Sequence, residues 1–177
     1  MKAIPREVEI KKPNTWSREI RELQKRLTKL SPLQEEVLIG CLMGDGHLSP
    51  NAYGKNYRFQ VVQMSEHKEY VNWKYDIFKD WCISEPKFQE INNSWRFRTI
   101  SHPILTEFHN LFYRGSRKIL PNNLDKILIS PVTLAIWFMD DGSVGPRGLG
   151  LTLNTQNFTR KENERLAQHL VENLQLR

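Results

Sequence analysis

Two nine-residue stretches constrain this chain more than any other feature: residues 38–46, LIGCLMGDG, and residues 134–142, LAIWFMDDG. Each is an apolar run ending in Asp-Gly, and each follows a Ser-Pro pair, Ser31-Pro32 or Ser130-Pro131. Serine at a helix N-cap accepts from an orphan backbone N–H, and proline at the first helical position has no N–H to lose. Gln34, three residues after Ser31, completes a capping box. Both stretches therefore read as helices with a marked start, and Gly46 and Gly142 mark their stops. Asp45 and Asp141 sit at the C-terminal ends, where the helix dipole disfavours a carboxylate. The same unfavourable placement on two apolar helices implies a cation between them. Packed side by side as a pseudo-dimer, the helices would bring the two carboxylates together.

The rest of the chain narrows the class. Its 177 residues suffice for one sizeable core. The 26 Lys+Arg outnumber the 20 Asp+Glu, and a net charge of +6 suits a polyanionic partner. Cys41 and Cys82 make no disulfide framework, and Cys41 reads as a small buried hydrophobe, so the compartment reads as reducing and intracellular. No apolar run approaches the roughly 20 residues of a membrane span. The N-terminus lacks a secretory h-region, and Glu7, Glu9, Glu19 and Glu22 argue against a transit peptide. The histidines at 47, 67, 102, 109 and 169 show no zinc-ligand spacing.

Taken in order, residues 1–14 read as extended, and Ile20, Leu23, Leu27 and Leu30 predict an amphipathic helix over 15–30. After the first motif come a strand from His47, a polar turn at 50–55 and a strand over 56–63. Ser65 then caps a helix whose Tyr70, Val71, Lys74, Ile77, Phe78 and Trp81 share a side, Lys74 through its aliphatic stem. A hairpin follows, with strands 87–91 and 95–100. Trp95, Phe97 and Thr99 occupy one face of its second strand, and Arg96 and Arg98 the other. An amphipathic helix at 104–113, a basic loop at 114–124 and an apolar segment at 127–129 lead to the second motif. The pattern then repeats: Gln63 follows Asp45 by 18 residues and Gln156 follows Asp141 by 15. Residues 151–156 are the counterpart strand, and Thr159 with Glu162 caps the last helix.

At residues 38–46 and 134–142 the chain resembles the LAGLIDADG homing endonucleases, position by position. Met43 and Met139 replace the first motif acid, and Ile136 replaces the motif glycine that Gly40 keeps. The resemblance implies an α/β (α+β) fold of two pseudo-symmetric αββαββα repeats, with an antiparallel saddle over double-stranded DNA. The chain divides into a 1–30 extension with its helix, a first repeat at 31–129 and a partial second repeat at 130–177. Asp45 and Asp141 become the metal ligands, with the backbone of Gly44 and Asp140, and Asp140 is placed toward the partner helix or solvent. Hard oxygen donors with vacant positions suit Mg²⁺, or Mn²⁺. Gln63 and Gln156 are candidates for ordering solvent at the metal, and Lys118 falls where the family places a basic residue near the scissile phosphate.

Base-edge readout needs Arg, Lys, Gln or Asn on an exposed strand face. Arg58 and Gln60 share one such face, and Arg96 and Arg98 another. Lys55, Lys87, Arg114 and Arg117 are the expected phosphate contacts. The function implied is a metal-dependent double-strand break at a long asymmetric site. The alternative is a non-cleaving nucleic-acid binder, such as an intron RNA maturase or a DNA-binding regulator. The first repeat takes 96 positions from Asp45 to Asp141, and 36 follow Asp141. The sequence therefore predicts a piece of a larger endonuclease. Its second repeat would be completed by further chain or by a second polypeptide.

Overall fold

The computed structural model describes residues 18–174, apart from positions 53, 123, 125, 126, 128 and 129. The extended arrangement expected for 1–14, the expected helix start at 15–17 and the apolar segment at 128–129 lie outside the described residues.

Two helices form the centre: α2, Pro32–Met43, and α5, Pro131–Asp141. Ser31 and Gln34 make the predicted reciprocal capping box, and the Ser130 hydroxyl accepts from the Thr133 N–H. A helix that is apolar all round must be buried all round, and in α2 every residue from Val37 to Met43 is buried. This helix stops earlier than expected. Gly44 is its C-cap, donating to the carbonyls of Gly40 and Cys41, and Asp45 lies in the following turn.

The two helices run side by side in matched register. Thr133 Oγ1 donates to the Glu36 carbonyl at 3.2 Å. A methyl group placed on Gly40 would lie 2.7 Å from both Ile136 Cβ and the Thr133 carbonyl oxygen. One placed on Gly44 would lie 2.5 Å from Asp140 Cβ. The first motif's glycine thus makes room for the isoleucine that replaces its counterpart. Gly40→Ala is expected to force this contact apart at a cost of about 1–3 kcal/mol, since a main-chain carbonyl has little room to yield. An unchanged urea midpoint would show that the helices pack less closely than this.

A four-stranded antiparallel sheet follows α2, in the order β1-β2-β4-β3. Its strands are β1 (His47–Pro50), β2 (Tyr57–Met64), β3 (Lys87–Gln89) and β4 (Ser94–Arg98). Leu48, Phe59, Val61 and Phe97 turn inward and join the core with Val71 and Phe78 of α3 (Lys68–Phe78) and Leu105 and Phe112 of α4 (Pro103–Phe112). The hairpin turn is wider than expected: a 3₁₀ turn at Glu90–Asn92 leads into Asn93, at φ 45°. Ser65 opens a 3₁₀ turn with no side-chain cap, so α3 begins later, at Lys68.

Helix α1, Arg18–Arg26, ends four residues before the predicted limit. It is tied on by Gln24, whose Nε2 donates to the Ser101 carbonyl at 2.7 Å. His102 caps α4 with Nδ1 accepting from the Ile104 N–H, which leaves Nε2–H to donate to the Gln24 carbonyl. The basic loop at 114–124 contains a tight hairpin, β5 (Tyr113–Arg114) and β6 (Arg117–Lys118), turning through Gly115 at φ 64°. The second motif leads into β7 (Gly142–Val144), β8 (Leu151–Leu153) and α6 (Arg160–Leu174). Strand β8 is shorter than the predicted 151–156. The Thr159–Glu162 capping box is present. No helix among the described residues is long and apolar enough to cross a membrane.

Candidate active site and nucleic-acid interface

The matched register of α2 and α5 decides where the carboxylates go. Equivalent motif positions face one another along the pair, so Asp45 and Asp141 emerge at the same end. Partial desolvation pushes the Asp141 carboxyl up, and the neighbouring Asp45 charge raises it further. Asp45 is raised in the same way, first by desolvation and then by Asp140. Lys118 of β6 lies near both, and its ammonium donates a hydrogen bond to the Gly44 carbonyl. Desolvation lowers the Lys118 pKa, while Asp141 and Asp45 act to hold it up. Two mutually repelling carboxylates with one ammonium nearby form a site that gains from added positive charge.

Among the described residues no group of three or more His, Cys, Asp or Glu side chains converges to hold a metal. The donor set is the two carboxylates and the neighbouring main-chain carbonyls. It consists of hard oxygen only, and so few protein ligands leave positions for water and phosphate, which fits a divalent cation of the Mg²⁺ type.

Asp140 is not where the sequence put its solvent-facing option. It faces α2, its side chain is fully buried, and Oδ1 accepts from Lys74 Nζ at 2.7 Å and from Gln63 Nε2 at 3.0 Å. Lys74 is 1% exposed, so its ammonium does not snorkel to water but is buried with its stem. The signal for this pair is in the sequence: one lysine on an otherwise apolar helix face, and one extra acid before the motif aspartate. Gln63 is also buried, and it lies close enough to Asp45 to act against the rise in that carboxyl's pKa. Gln156 lies in an exposed turn beyond β8. Arg117 Nη2 donates to the next residue's carbonyl, Asn157 O, at 3.4 Å, which sets that turn beside the hairpin carrying Lys118.

The outer face of the four-stranded sheet is basic. Register places Gln60 opposite His47 and Arg98, Arg58 opposite Ser49, and Arg96 between Val62 and Lys87. Arg58, Gln60, Arg96 and Arg98, assigned to two strands from sequence, thus share one continuous face. Desolvation lowers the Arg58 guanidinium, and the Arg98 and Arg96 charges lower it further. Clustered cations of this kind raise the local potential for a polyanion. Lys55 lies exposed in the β1–β2 turn, and Arg114 is exposed on the β5–β6 hairpin. Arg117 is exposed too, but its bond to Asn157 and its position beside Glu162 give it a structural task.

A pair of capped helices ending in paired aspartates, beside an antiparallel sheet with a basic outer face, defines an α+β protein that joins an acidic centre to a surface suited to a polyanion. Residues 35–177 match the LAGLIDADG DNA endonuclease family, and the chain belongs to that family. It is 33% identical over 174 residues to a cytochrome b mRNA maturase bI2 of Debaryomyces hansenii, covering 87% of this chain and 65% of that protein. It is 30% identical over 166 residues to a probable intron-encoded endonuclease 1 of Wickerhamomyces canadensis, covering 87% of this chain and 71% of that one. The fold superimposes on the homing endonuclease I-WcaI, solved bound to its DNA recognition sequence, with a TM-score of 0.81 and 28% identity, over 93% of this chain and 77% of the other. The chain therefore spans about two-thirds to three-quarters of the length of these relatives.

Proposed function

We propose that this chain acts as a site-specific DNA endonuclease that makes a metal-dependent double-strand break at a long asymmetric site. The observation carrying this reading is the convergence of Asp45, Asp141 and Lys118 at one end of the register-matched helices. In this reading residues 31–129 and 130–177 are the two repeats, residues 1–30 are an extension, and the protein works inside the cell, where its DNA is.

Asp45, Asp141 and the backbone of Gly44 and Asp140 would hold Mg²⁺, with Mn²⁺ as a substitute. When bound there, such an ion would supply charge neutralisation at the scissile phosphate and a lowered pKa for water. The chain's own residues supply position. Lys118 meets the charge developing on the phosphate, Gln63 and Gln156 orient solvent, and Arg58, Gln60, Arg96 and Arg98 read base edges in the major groove. Lys55, Lys87, Arg114 and Arg117 contact phosphates and set the register on the duplex.

The test is a cleavage assay with Mg²⁺ on a plasmid target library. Arg96→Ala and Arg98→Ala are each expected to relax specificity at particular base pairs by about 1–3 kcal/mol. Lys118→Ala is expected to slow the chemical step with little change in affinity. If Arg96→Ala weakens binding equally on all sequences, that residue touches phosphate and the readout assignment is wrong. RNA binding without cleavage of any target would favour the maturase alternative, which the similarity to a protein named as a maturase supports.

The small β7–β8 sheet suggests a further partner. Strand β2 is covered on its outer edge by β4, whereas β8 pairs only with β7 among the described residues. Val144, Leu149 and Leu151 are 60–74% exposed there. Unpaired edges beside apolar side chains accept added strands. A second polypeptide supplying a hairpin like β3–β4 would complete this half of the DNA saddle, and its addition should raise cleavage of a full-length site.

A further inference from the structure

The buried ion pair between α5 and α3 has a geometry that bears on Gln63. Asp140 sits one residue before Asp141 and turns its side chain into the protein. Room for it exists because its counterpart on α2 is Gly44, where any Cβ would collide with Asp140. The pseudo-symmetry is thus broken at this motif position, with glycine on one helix and a buried acid on the other. Lys74 Nζ, which also lies 3.9 Å over the Tyr70 ring, and Gln63 Nε2 both donate to Asp140 Oδ1.

An amide has donors on its nitrogen and an acceptor on its oxygen, while an ionised carboxylate only accepts. Turning the Gln63 amide over would place its oxygen against the Asp140 carboxylate, acceptor facing acceptor. As it stands, Nε2 donates to Asp140 Oδ1. Oε1 is left buried, with no donor among the described residues. Gln63 is one of the residues around a cleft of about 380 Å³ whose lining also includes Asp45, His67, Asn92, Ser94 and Asp140.

We infer that Lys74 and Asp140 are positioning residues whose ion pair fixes the Gln63 amide with its nitrogen inward and its oxygen toward the cleft, where it accepts a hydrogen bond from a water beside Asp45. This rests on the endonuclease reading, in which that water is close to the reacting phosphate. It adds a residue pair that never touches DNA yet sets the geometry of one that orients solvent. It also makes the two halves of the site unequal, since Gly44 occupies the pseudo-symmetric place of Asp140.

The experiment is a cycle of single-turnover cleavage rates for the parent protein, Gln63→Leu, Asp140→Asn, Lys74→Met/Asp140→Asn, and Gln63→Leu combined with Asp140→Asn. Loss of a group that orients a site residue typically costs about 10- to 100-fold. That loss is expected for Asp140→Asn and for the Lys74→Met/Asp140→Asn pair, with DNA affinity unchanged. In the Gln63→Leu background Asp140→Asn should cost almost nothing more, because the residue it positions is already gone. An equal further loss there would show that Asp140 acts by general packing and would overturn the inference. Normal cleavage by Asp140→Asn beside slow cleavage by Gln63→Leu would overturn it while leaving the solvent-orienting role of Gln63 intact. Normal cleavage by Gln63→Leu would remove that role and the inference together.

A second measurement needs no cleavage. The Gln63 side-chain NH₂ hydrogens of ¹⁵N-labelled protein should exchange slowly with solvent, and Asp140→Asn, which is isosteric, should speed this at least about tenfold. Fast exchange in the parent protein would overturn the inference whatever the nuclease assays show.

Discussion

Asp45→Asn and Asp141→Asn are each expected to slow cleavage of at least one strand by about 10³-fold, equivalent to roughly 4 kcal/mol of transition-state stabilisation. DNA affinity should be largely retained, because the basic face proposed to meet DNA lies on β2, β4 and their turns, away from the carboxylates. Strand-specific end-labelling and a gel-shift titration with Ca²⁺ in place of Mg²⁺ separate the two effects. Stability should move in the opposite direction from activity. Both carboxylates have folded-state pKa values raised by desolvation and by neighbouring negative charge. A raised aspartate pKa means that the ionised form is disfavoured in the folded state. The cost is absent below the unfolded value, grows as pH rises from there through the folded value, and is present in full above it. Each asparagine variant should therefore melt at least as high as the parent at pH 7 without metal. Added Mg²⁺ should raise the melting temperature of the parent more than that of either variant. Full double-strand cleavage by both variants would sink the assignment of the metal ligands.

How much of this was legible in the sequence depended on whether a signal was local. Capping is local, so Ser31, Ser130 and Thr159 marked helix starts that the structure shares. Strand alternation is local too, and the inward Phe97 between the outward Arg96 and Arg98 followed from it. The close approach of α2 and α5 was readable because motif glycines have a packing reason, and Gly40 kept one where Ile136 did not. Element ends were less legible. Strand β8 stops at Leu153 and leaves Gln156 in a turn, because pairing with the three residues of β7 gives it no longer partner. The hairpin inside the basic loop escaped notice because a two-residue strand has no periodicity to detect. Gly115 between Arg114 and Ser116 was its one local cue. The ion pair of Lys74 with Asp140 joins residues 66 positions apart. Each looked ordinary alone, an amphipathic lysine and a spare motif acid, and only the fold shows that one answers the other.

That pair sets the second large effect. Lys74→Met keeps the length and apolar character of the stem but removes the ammonium from a carboxylate whose side chain is fully buried. Gln63 alone cannot compensate it, since Oδ2 already has no donor among the described residues. Breaking a buried pair by deleting one partner costs about 3–5 kcal/mol, because the remaining charge is stranded away from water. For a domain of this size that corresponds to a fall in melting temperature of about 6–20 °C. Replacing both members together, Lys74→Met with Asp140→Asn, should restore most of the loss, because no charge is left unpaired. Two buried charges gain little over well-packed neutral groups, so the double variant should lie within about 1–2 kcal/mol of the parent. Urea denaturation of the four proteins in the cycle measures the coupling directly. A double variant no more stable than Lys74→Met alone would mean that the lysine stabilises the fold through its stem and the Tyr70 ring, and not through Asp140.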